Sequence, residues 1–548
     1  MPAPALRRVR AGLAAVALGA LVAGIAAPPA SALGTEPDNR YSSKQPYIAP
    51  TTDDIAAYQP APAGYRPLAT ESVARHGSRG LSGYKYDALL RRMAETAQAE
   101  GGFRSPEIGA ALLANIDALT AANVENGYGM LTGQGAAQHQ GIGARAYQRN
   151  AGLFAAAAAH KDRIVAETSG EARATESGEN FLRGFTAAAS GSRTPSADVP
   201  LESRPDLLYF HKVENPDGTE KAVGSPERIR AQAYEDYIAA QTGDGGTISA
   251  AMDYIESLPA SVSSAEDVLS GIFTPAFIAA IGTDAAHRWY NTANGTKGGP
   301  RACAPGADPV VDPDACGDPK KSIKTPVDAA MTLYNLYIIA ADMEAENVPP
   351  HAFDFSPYFA GHEADAQWFA TLLDAEDFYE KGPSLAGHDD TYRVAQPLLD
   401  DFFSVIDARA AGGDVAATFR FAHAETIMPF AALLHLPGST VQAPDVPAPA
   451  SPADVYGTAT NPWRGSLVSP MAANVQWDAV QRRGVDPSTK KPWTPLVRML
   501  VDEREVPFRD GCTPVAPGSH WVKLTELKRC LSGIPTPESP LLDGPGRR

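Results

Sequence analysis

The stretch PLATESVARHGSR, residues 67–79, sets the pattern from which the fold can be derived. Residues 67–74 are partly apolar and typical of a short strand, and they lead directly into a polar Arg-His-Gly tripeptide. The following segment, residues 86–100, places apolar side chains at helical spacing. The predicted order is therefore strand, loop and helix.

Two further stretches repeat this order. Residues 163–166 form a short, mostly apolar stretch that leads through a polar loop into a helix with aromatic side chains on one face. Residues 418–422 are β-prone, and the segment that follows has an apolar helical stripe. Alternating strands and helices predict an α/β fold with a mostly parallel sheet flanked by helices.

The long middle part of the chain is helical by pattern and contains no convincing series of strands. Residues 226–241, 264–280 and 326–344 are predicted helices, and a Gly/Pro/Asp-rich stretch at 291–321 interrupts them. We therefore expect a large α-helical cap domain inserted into an α/β core. The predicted parts are an N-terminal arm without periodicity (33–66), the first part of the core (67–224), the cap domain (225–380), and the second part of the core with the tail (381–548).

Composition limits the classes of function. The chain has 548 residues, is 44% hydrophobic and carries a formal net charge of −17. A globular protein of this charge is not expected to bind nucleic acid or an anionic membrane surface broadly. An anionic ligand would need a local basic pocket.

The first 32 residues have the pattern of a signal peptide. Arginines at positions 7, 8 and 10 precede a small-residue and apolar stretch at 11–27, and Ala-Ser-Ala at 30–32 fits a cleavage site. A membrane anchor is the alternative, but the run is shorter than a spanning helix needs and two prolines follow it. We expect a secreted protein, with no membrane partner after cleavage and its mature chain starting at Leu33.

Four cysteines suit an oxidising compartment. Cys303 and Cys316 share one loop-rich stretch, and Cys512 and Cys530 lie near the C-terminus. Pairing between these neighbours predicts two disulfides. A zinc site is the alternative, but neither a CxxC nor an HExxH spacing occurs. No metal is assigned.

Charged side chains follow all three predicted strands. In open α/β sheets, ligands bind at the carboxyl ends of the strands, so these side chains are expected to meet. Arginines bind phosphoryl oxygens, a histidine can attack phosphorus, and a carboxylic acid can protonate a leaving oxygen. The set therefore indicates phosphoryl transfer, and its members are Arg75, His76, Arg79, Arg173, His423 and Glu425.

Each of these residues also has an ordinary structural explanation. Arg173 lies between Glu171 and Glu176 and could form a structural ion pair. His423 could be a helix-terminus residue, and Glu425 could complement a helix dipole. Their joint placement at three strand ends favours the functional interpretation.

The motifs resemble a known family. Arg75-His76-Gly77-Ser78-Arg79 is similar to the RHGxR signature of the histidine acid phosphatases, branch 2 of the histidine phosphatase superfamily. His423-Ala424-Glu425 resembles the His-Ala-Glu motif of the multiple inositol polyphosphate phosphatases within it. Similar segments occur at 131–141, 173–185, 469–476 and 506–512, so the resemblance covers about residues 68–531.

The resemblance implies a role for each residue. His76 would be the nucleophile and form a phosphohistidine, Glu425 would protonate the leaving group, and no cofactor would be needed. The phosphate would be bound by Arg75, Arg79, Arg173 and His423. Lys85 is a further candidate for substrate binding, with a solvated lysine at a helix start as its alternative.

The implied substrates are inositol polyphosphates, phytate above all. A secreted acid phosphatase for sugar phosphates or other small monoesters would use the same catalytic residues. A non-catalytic phosphate-binding protein is the alternative outside enzymology. One departure concerns the loop after the first motif, where many family members carry proline and this chain has Gly80-Leu81-Ser82.

Overall fold

Strand β1 lies inside a mixed sheet and ends at the first motif. The computed structural model describes residues 39–189, 200–291 and 318–531. The strands are β1 (Tyr65–Arg75), β2 (Arg163–Thr168), β3 (Leu201–Ser203), β4 (Trp289–Asn291), β5 (Asp318–Ile323), β6 (Val415–Ala422), β7 (Asn474–Arg482), β8 (Leu496–Val501), β9 (Arg504–Val506) and β10 (Val522–Lys523).

Helices account for most of the remaining regular structure. The first ten are α1 (Thr52–Ala56), α2 (Tyr86–Glu100), α3 (Pro106–Asn126), α4 (Gly133–Arg149), α5 (Ala151–His160), α6 (Ala172–Ala188), α7 (Pro205–Leu208), α8 (Pro226–Thr242), α9 (Thr247–Ser257) and α10 (Pro259–Ser270). The others are α11 (Pro275–Ala280), α12 (Pro326–Ala340), α13 (Glu363–Lys381), α14 (Asp390–Arg393), α15 (Gln396–Ala410), α16 (Ala424–Leu434), α17 (Gly465–Val468) and α18 (Leu524–Leu531).

The sheet has a parallel half and an antiparallel half. Its order is β10-β8-β7-β1-β6-β2-β3, and β9 pairs with β8. Strands β1, β6, β2 and β3 pair in parallel, while β7 joins β1 antiparallel and β8 to β10 continue in that manner. The predicted α/β class with flanking helices is confirmed, and the three predicted strands are neighbours in the parallel half.

Aromatic side chains bind the parallel half to helix α6. Phe181 and Phe185 on α6 pack on Phe419 and Phe421 of β6, with ring centroids 4.7 to 5.8 Å apart. All four rings are buried. The apolar face predicted from the sequence therefore fixes α6, and with it Arg173, over the sheet.

Residues 225–380 contain mostly helix, with two differences from the prediction. The segment predicted as one helix at 264–280 forms α10 and α11, because the chain turns at Gly271 and restarts at Pro275, with Thr274 as the N-cap. Strands β4 and β5 form a short antiparallel pair that the sequence pattern did not indicate. The predicted domain boundaries stay predictions.

The N-terminal arm is more ordered than expected. Residues Asn39–Lys44 form a 3-10 helix, α1 follows, and β1 begins at Tyr65, two residues before the predicted strand. The 3-10 helix packs against α13 and α17. The arm is therefore part of the folded structure near the end of β1.

The C-terminal disulfide between Cys512 and Cys530 is confirmed and ties the loop before β10 to α18. The predicted Cys303–Cys316 bridge and the signal peptide lie outside the described residues. Within the part of the chain that is described, none of the helices has the length and apolar character that crossing a membrane requires.

Candidate active site

The first motif forms a tight loop at the carboxyl end of β1. The backbone N–H of Arg75 donates to the carbonyl of Ala473 at 2.8 Å, and that of His76 donates to Ala422 at 2.9 Å. Gly77 lies against the start of α4, where an added Cβ would stand 2.5 Å from the carbonyl oxygen of Gly135. Only glycine permits such a close approach to the backbone of α4, so the loop packs tightly between β6, α4 and the segment before β7.

His76 is buried in a defined tautomer. Its Nδ1 lies 2.9 Å from the carbonyl oxygen of Gly77, which can only accept, so Nδ1 carries the proton. Burial, followed by the charges of Arg173 and Arg75, holds the pKa of His76 well below its usual value. The imidazole is therefore neutral, and Nε2 keeps a lone pair that no described residue binds.

His423 lies beside His76 but has both ring nitrogens occupied. An arginine only donates, so Arg173 Nη2 donates to His423 Nδ1 at 3.3 Å, and Nε2 donates to the Ser169 hydroxyl at 2.8 Å. Burial and the charge of Arg173 lower the pKa of His423 well below its usual value. The two histidines are thus alike in charge and different in bonding.

Three guanidinium groups surround the histidines. Arg75 is almost fully buried and donates to the carbonyls of Ser43 and Ser469, each at 2.5 Å, while its Nε has no partner among the described residues. Arg173 pairs with Glu171 at 3.1 Å, and its Nε is also buried and without a described partner. Burial, then the charges of Arg173 and Arg75, lower the pKa of Arg79 to about 10, so it remains charged at neutral pH.

Glu425 enters the site from the first turn of α16. Burial would raise the pKa of this carboxyl group, but the ammonium charge of Lys381, with smaller electrostatic contributions from the imidazoles of His211 and His423, outweighs it and holds the pKa well below its usual value. Glu425 is therefore ionised in the unliganded protein. Its charge also acts on Arg75, which places it at the same site.

The structure brings the other five predicted residues of this set together around His76. The guanidinium charges of Arg173, Arg75 and Arg79 act on its imidazole, and its ring meets that of His423 edge to face. Glu425 belongs to the same group of residues, because its carboxylate acts electrostatically on Arg75 and His423. Lys85 differs, because it is half-buried at the N-cap position of α2 and its side chain forms no hydrogen bond or ion pair with the described residues of the site.

Sequence reasoning missed several neighbours of the site. Lys44 comes from the arm, His211 follows α7, and Lys381 ends α13. None belongs to a strand-loop-helix unit, so a search for charged residues at predicted strand ends does not find them. Ser169 directly follows β2 and could have been found as a strand-end residue.

The arrangement is suited to an anion. It contains buried arginine donors, a neutral imidazole with a free lone pair and an ionised carboxylate on the side of α16. Within residues 39–189, 200–291 and 318–531, no group of three or more His, Cys, Asp or Glu side chains could hold a metal ion. Positive charge at the site comes from arginine and lysine.

Comparisons with known proteins agree with this geometry. Residues 71–219 match the family model of the histidine phosphatase superfamily, branch 2. The multiple inositol polyphosphate phosphatase of Bifidobacterium longum, solved with inositol hexasulfate, is 56% identical, with 90% of this chain and 97% of that chain covered and a TM-score of 0.81. The chain belongs to the multiple inositol polyphosphate phosphatase family.

Two further solved structures are similar to this chain. The same Bifidobacterium longum enzyme in complex with phosphate is 57% identical over the same coverage, with a TM-score of 0.82. The phytase of D. castellii is 13% identical, covers 90% of this chain and 85% of that chain, and at a TM-score of 0.57 shares the fold. A comparison with curated proteins gave no match. As a member of the family, the protein is a phosphoric monoester hydrolase.

Proposed function

We propose that the protein is a secreted phosphatase that removes phosphates from inositol polyphosphates, phytate above all, through a phosphohistidine on His76. The observation that carries the proposal is the unprotonated Nε2 of His76, which lies among three arginines and has no described partner. The Bifidobacterium longum relative supports the substrate class, because the sulfates of its bound inositol hexasulfate stand in for phosphates.

The first step transfers the phosphoryl group to the enzyme. Arg75, Arg79 and Arg173 hold the nonbridging oxygens and offset charge as it develops. His423 joins them when its Nε2–H exchanges the Ser169 hydroxyl for a phosphate oxygen. The lone pair on His76 Nε2 forms a bond to phosphorus, and the bond from phosphorus to the inositol oxygen breaks. Glu425 gives its proton to that oxygen, which leaves as a neutral hydroxyl group.

Glu425 must gain its proton before this step. The carboxyl group is ionised in the unliganded site. Substrate phosphates bring negative charge beside it, and nearby negative charge raises the pKa of a carboxyl group. In the second step, ionised Glu425 takes a proton from water as the water oxygen attacks phosphorus, the bond to Nε2 breaks and inorganic phosphate is released.

A time course of products from phytate tests the substrate class. Purified enzyme should convert phytate to successively lower inositol phosphates, resolved by anion-exchange chromatography, with His76→Ala as the control. Turnover of p-nitrophenyl phosphate and glucose 6-phosphate with no turnover of phytate would show instead an acid phosphatase for small monoesters. If the enzyme hydrolysed none of these substrates but still bound phosphate, the result would favour a non-catalytic phosphate-binding protein.

Secretion has its own test. Expression of the full chain in a host with a general export pathway should place mature protein outside the cytoplasm, and N-terminal sequencing should begin at Leu33. Protein retained in the membrane fraction with residues 1–32 intact would contradict the proposed cleavage and favour an anchor.

A further inference from the structure

The 3-10 helix Asn39–Lys44 is docked on both the active site and α13. Ser42 donates to Asp374 at 2.5 Å, and Ser43 donates to Asp377 at 2.7 Å. Arg75 donates to the carbonyl of Ser43, so the helix is bonded to the motif that carries His76. These contacts fix the backbone of Lys44 beside the guanidinium groups.

Lys44 is half-buried, and its amino group lacks a partner within the described parts of the chain. Two carboxylates lie nearby and bond to other residues. Asp377 accepts from Ser43 through Oδ2 and from Lys381 through Oδ1 at 2.6 Å, and Asp342 accepts from the Ser78 hydroxyl. Burial and the positive charges of Arg75 and Arg79 lower the pKa of Lys44 to about 7. An ammonium group held near two guanidinium groups without a carboxylate of its own is stabilised when an anion binds.

The position of Lys44 relative to Glu425 indicates which anion this is. Lys381 bonds to Asp377, and its charge is the largest influence that keeps Glu425 ionised. Glu425 acts on the oxygen that joins the reacting phosphate to the inositol ring. Ser43, the residue before Lys44, bonds to the other oxygen of Asp377, so Lys44 lies close to Lys381 and on the leaving-group side of the site.

The reacting phosphate has little need of another donor. Its three nonbridging oxygens already face Arg75, Arg79, Arg173 and His423 in the proposed mechanism. On the leaving-group side, an inositol polyphosphate presents the phosphates attached to the neighbouring ring carbons. A single-phosphate substrate presents none there.

We propose that Lys44 binds a second phosphate of the substrate, next to the one being cleaved, and so determines specificity for polyphosphorylated rings. This inference rests on the proposed function at the same site. It assigns to the N-terminal arm a contact with substrate that the strand ends alone do not provide.

The test compares Lys44→Met with the wild type on phytate and on p-nitrophenyl phosphate. Methionine keeps much of the apolar stem and removes the charge. Because a hydrogen bond to a charged group contributes substantially to binding, KM for phytate should rise about tenfold or more. Both kinetic constants for p-nitrophenyl phosphate should stay within about twofold, since that substrate has one phosphate.

Matched controls separate this effect from a general one. Lys491→Met changes an exposed lysine that is far in the sequence from every residue assigned to the site. Its kinetic constants for both substrates should equal those of the wild type. If Lys44→Met fails to fold, Lys44→Gln takes its place. Calorimetric titration with inositol hexasulfate and with inorganic phosphate gives a second readout, in which only the affinity for hexasulfate should fall.

Equal losses on both substrates, or unchanged KM for phytate, would overturn the role of Lys44. Either result, together with normal phytate turnover by the wild type, would leave the proposed function intact. Failure of the wild type to hydrolyse phytate while it hydrolyses p-nitrophenyl phosphate would refute the proposed function itself.

Discussion

The imidazole rings of His76 and His423 lie edge to face, with centroids 5.6 Å apart and planes at 63°. The two residues directly follow neighbouring parallel strands, and both rings are neutral. Only the ring of His76 has a nitrogen lone pair that no described residue binds, because Arg173 and Ser169 occupy both nitrogens of His423. The geometry therefore leaves only one of these two similar side chains with a nitrogen free to attack phosphorus.

Replacement of His76 by alanine should abolish the covalent intermediate. Wild-type enzyme mixed rapidly with ³²P-labelled substrate and quenched in base should retain label, since phosphohistidine is base-stable and acid-sensitive. His423→Ala should label more slowly but still label, because it loses a ligand and keeps the nucleophile. Label on His76→Ala, or none on His423→Ala despite turnover, would reverse the two assignments.

Replacement of Glu425 by glutamine should affect substrates unequally. A positioned general acid contributes roughly 10²- to 10⁴-fold, and inositol needs this help because it is a poor leaving group. Loss on phytate should approach that range, whereas p-nitrophenyl phosphate, with its stable phenolate, should lose much less. Burst kinetics should accompany the steady-state rates, because they show whether the measured rate is that of enzyme phosphorylation or of phosphoenzyme hydrolysis. Equal losses in the phosphorylation step would show that Glu425 acts through shape or charge.

Replacement of Lys44 by arginine should change the pH dependence of KM for phytate. Lys44, with a pKa of about 7 set by burial and then by Arg75 and Arg79 against Asp377, is charged below that pH and neutral above it. KM of the wild type should therefore rise between pH 6 and 8 beyond what substrate ionisation causes. Arginine stays charged throughout, so the variant should show a smaller rise.

The wild type and the arginine variant share the substrate, the arginines of the site and the ion pair of Asp377 with Lys381. Their difference therefore reports the charge at position 44. Parallel pH profiles for the two enzymes would refute the titration of Lys44 in this range.

Substitution of Gly184 by alanine should destabilise the protein. Helices α4 and α6 approach so closely that a Cβ on Gly184 would stand 1.9 Å from the carbonyl oxygen of Gln140. Overpacking of this kind costs about 1–3 kcal/mol, measurable by urea unfolding. Activity should also fall, because α6 carries Arg173.

Gly152→Ala is the matched control for Gly184→Ala. Gly152 lies in α5 with no heavy atom within 4 Å of an added Cβ, and alanine is the better helix former there. Its stability should be unchanged or raised. Equal destabilisation of the two variants would show that the close contact between α4 and α6 is unimportant.

The sequence predicted the parallel half of the sheet because its three strands end in charged residues and lead into apolar helices. It did not predict β7, whose residues are buried along most of the strand and show no alternation of polar and apolar side chains that marks one exposed face. The break between α10 and α11 was missed although Gly271 and Pro275 mark it. The glycine and the proline indicate a helix end, but the apolar residues continue at helical spacing across the break and predicted one continuous helix.

The arm illustrates a different limit of sequence reasoning. Lys44 is 31 residues from Arg75 in the chain, and the contact of Ser43 with Asp377 spans 334 residues. No periodicity in the arm indicates these partners, since its contacts depend on where α13 ends in space. Single-sequence patterns define elements, while such contacts depend on how distant elements pack.

The sheet joins parts of the chain that are synthesised far apart in time. Glu71 of β1 and its ion-pair partner Arg420 of β6 are separated by 349 residues. A ribosome adding 5–20 residues per second needs roughly 20 to 70 seconds to pass from one to the other. During that interval the strand that leads to His76 has neither of its sheet neighbours, and unpaired apolar strands aggregate readily. Chaperone supply during translation should therefore limit the yield of active protein more than the stability of the finished fold.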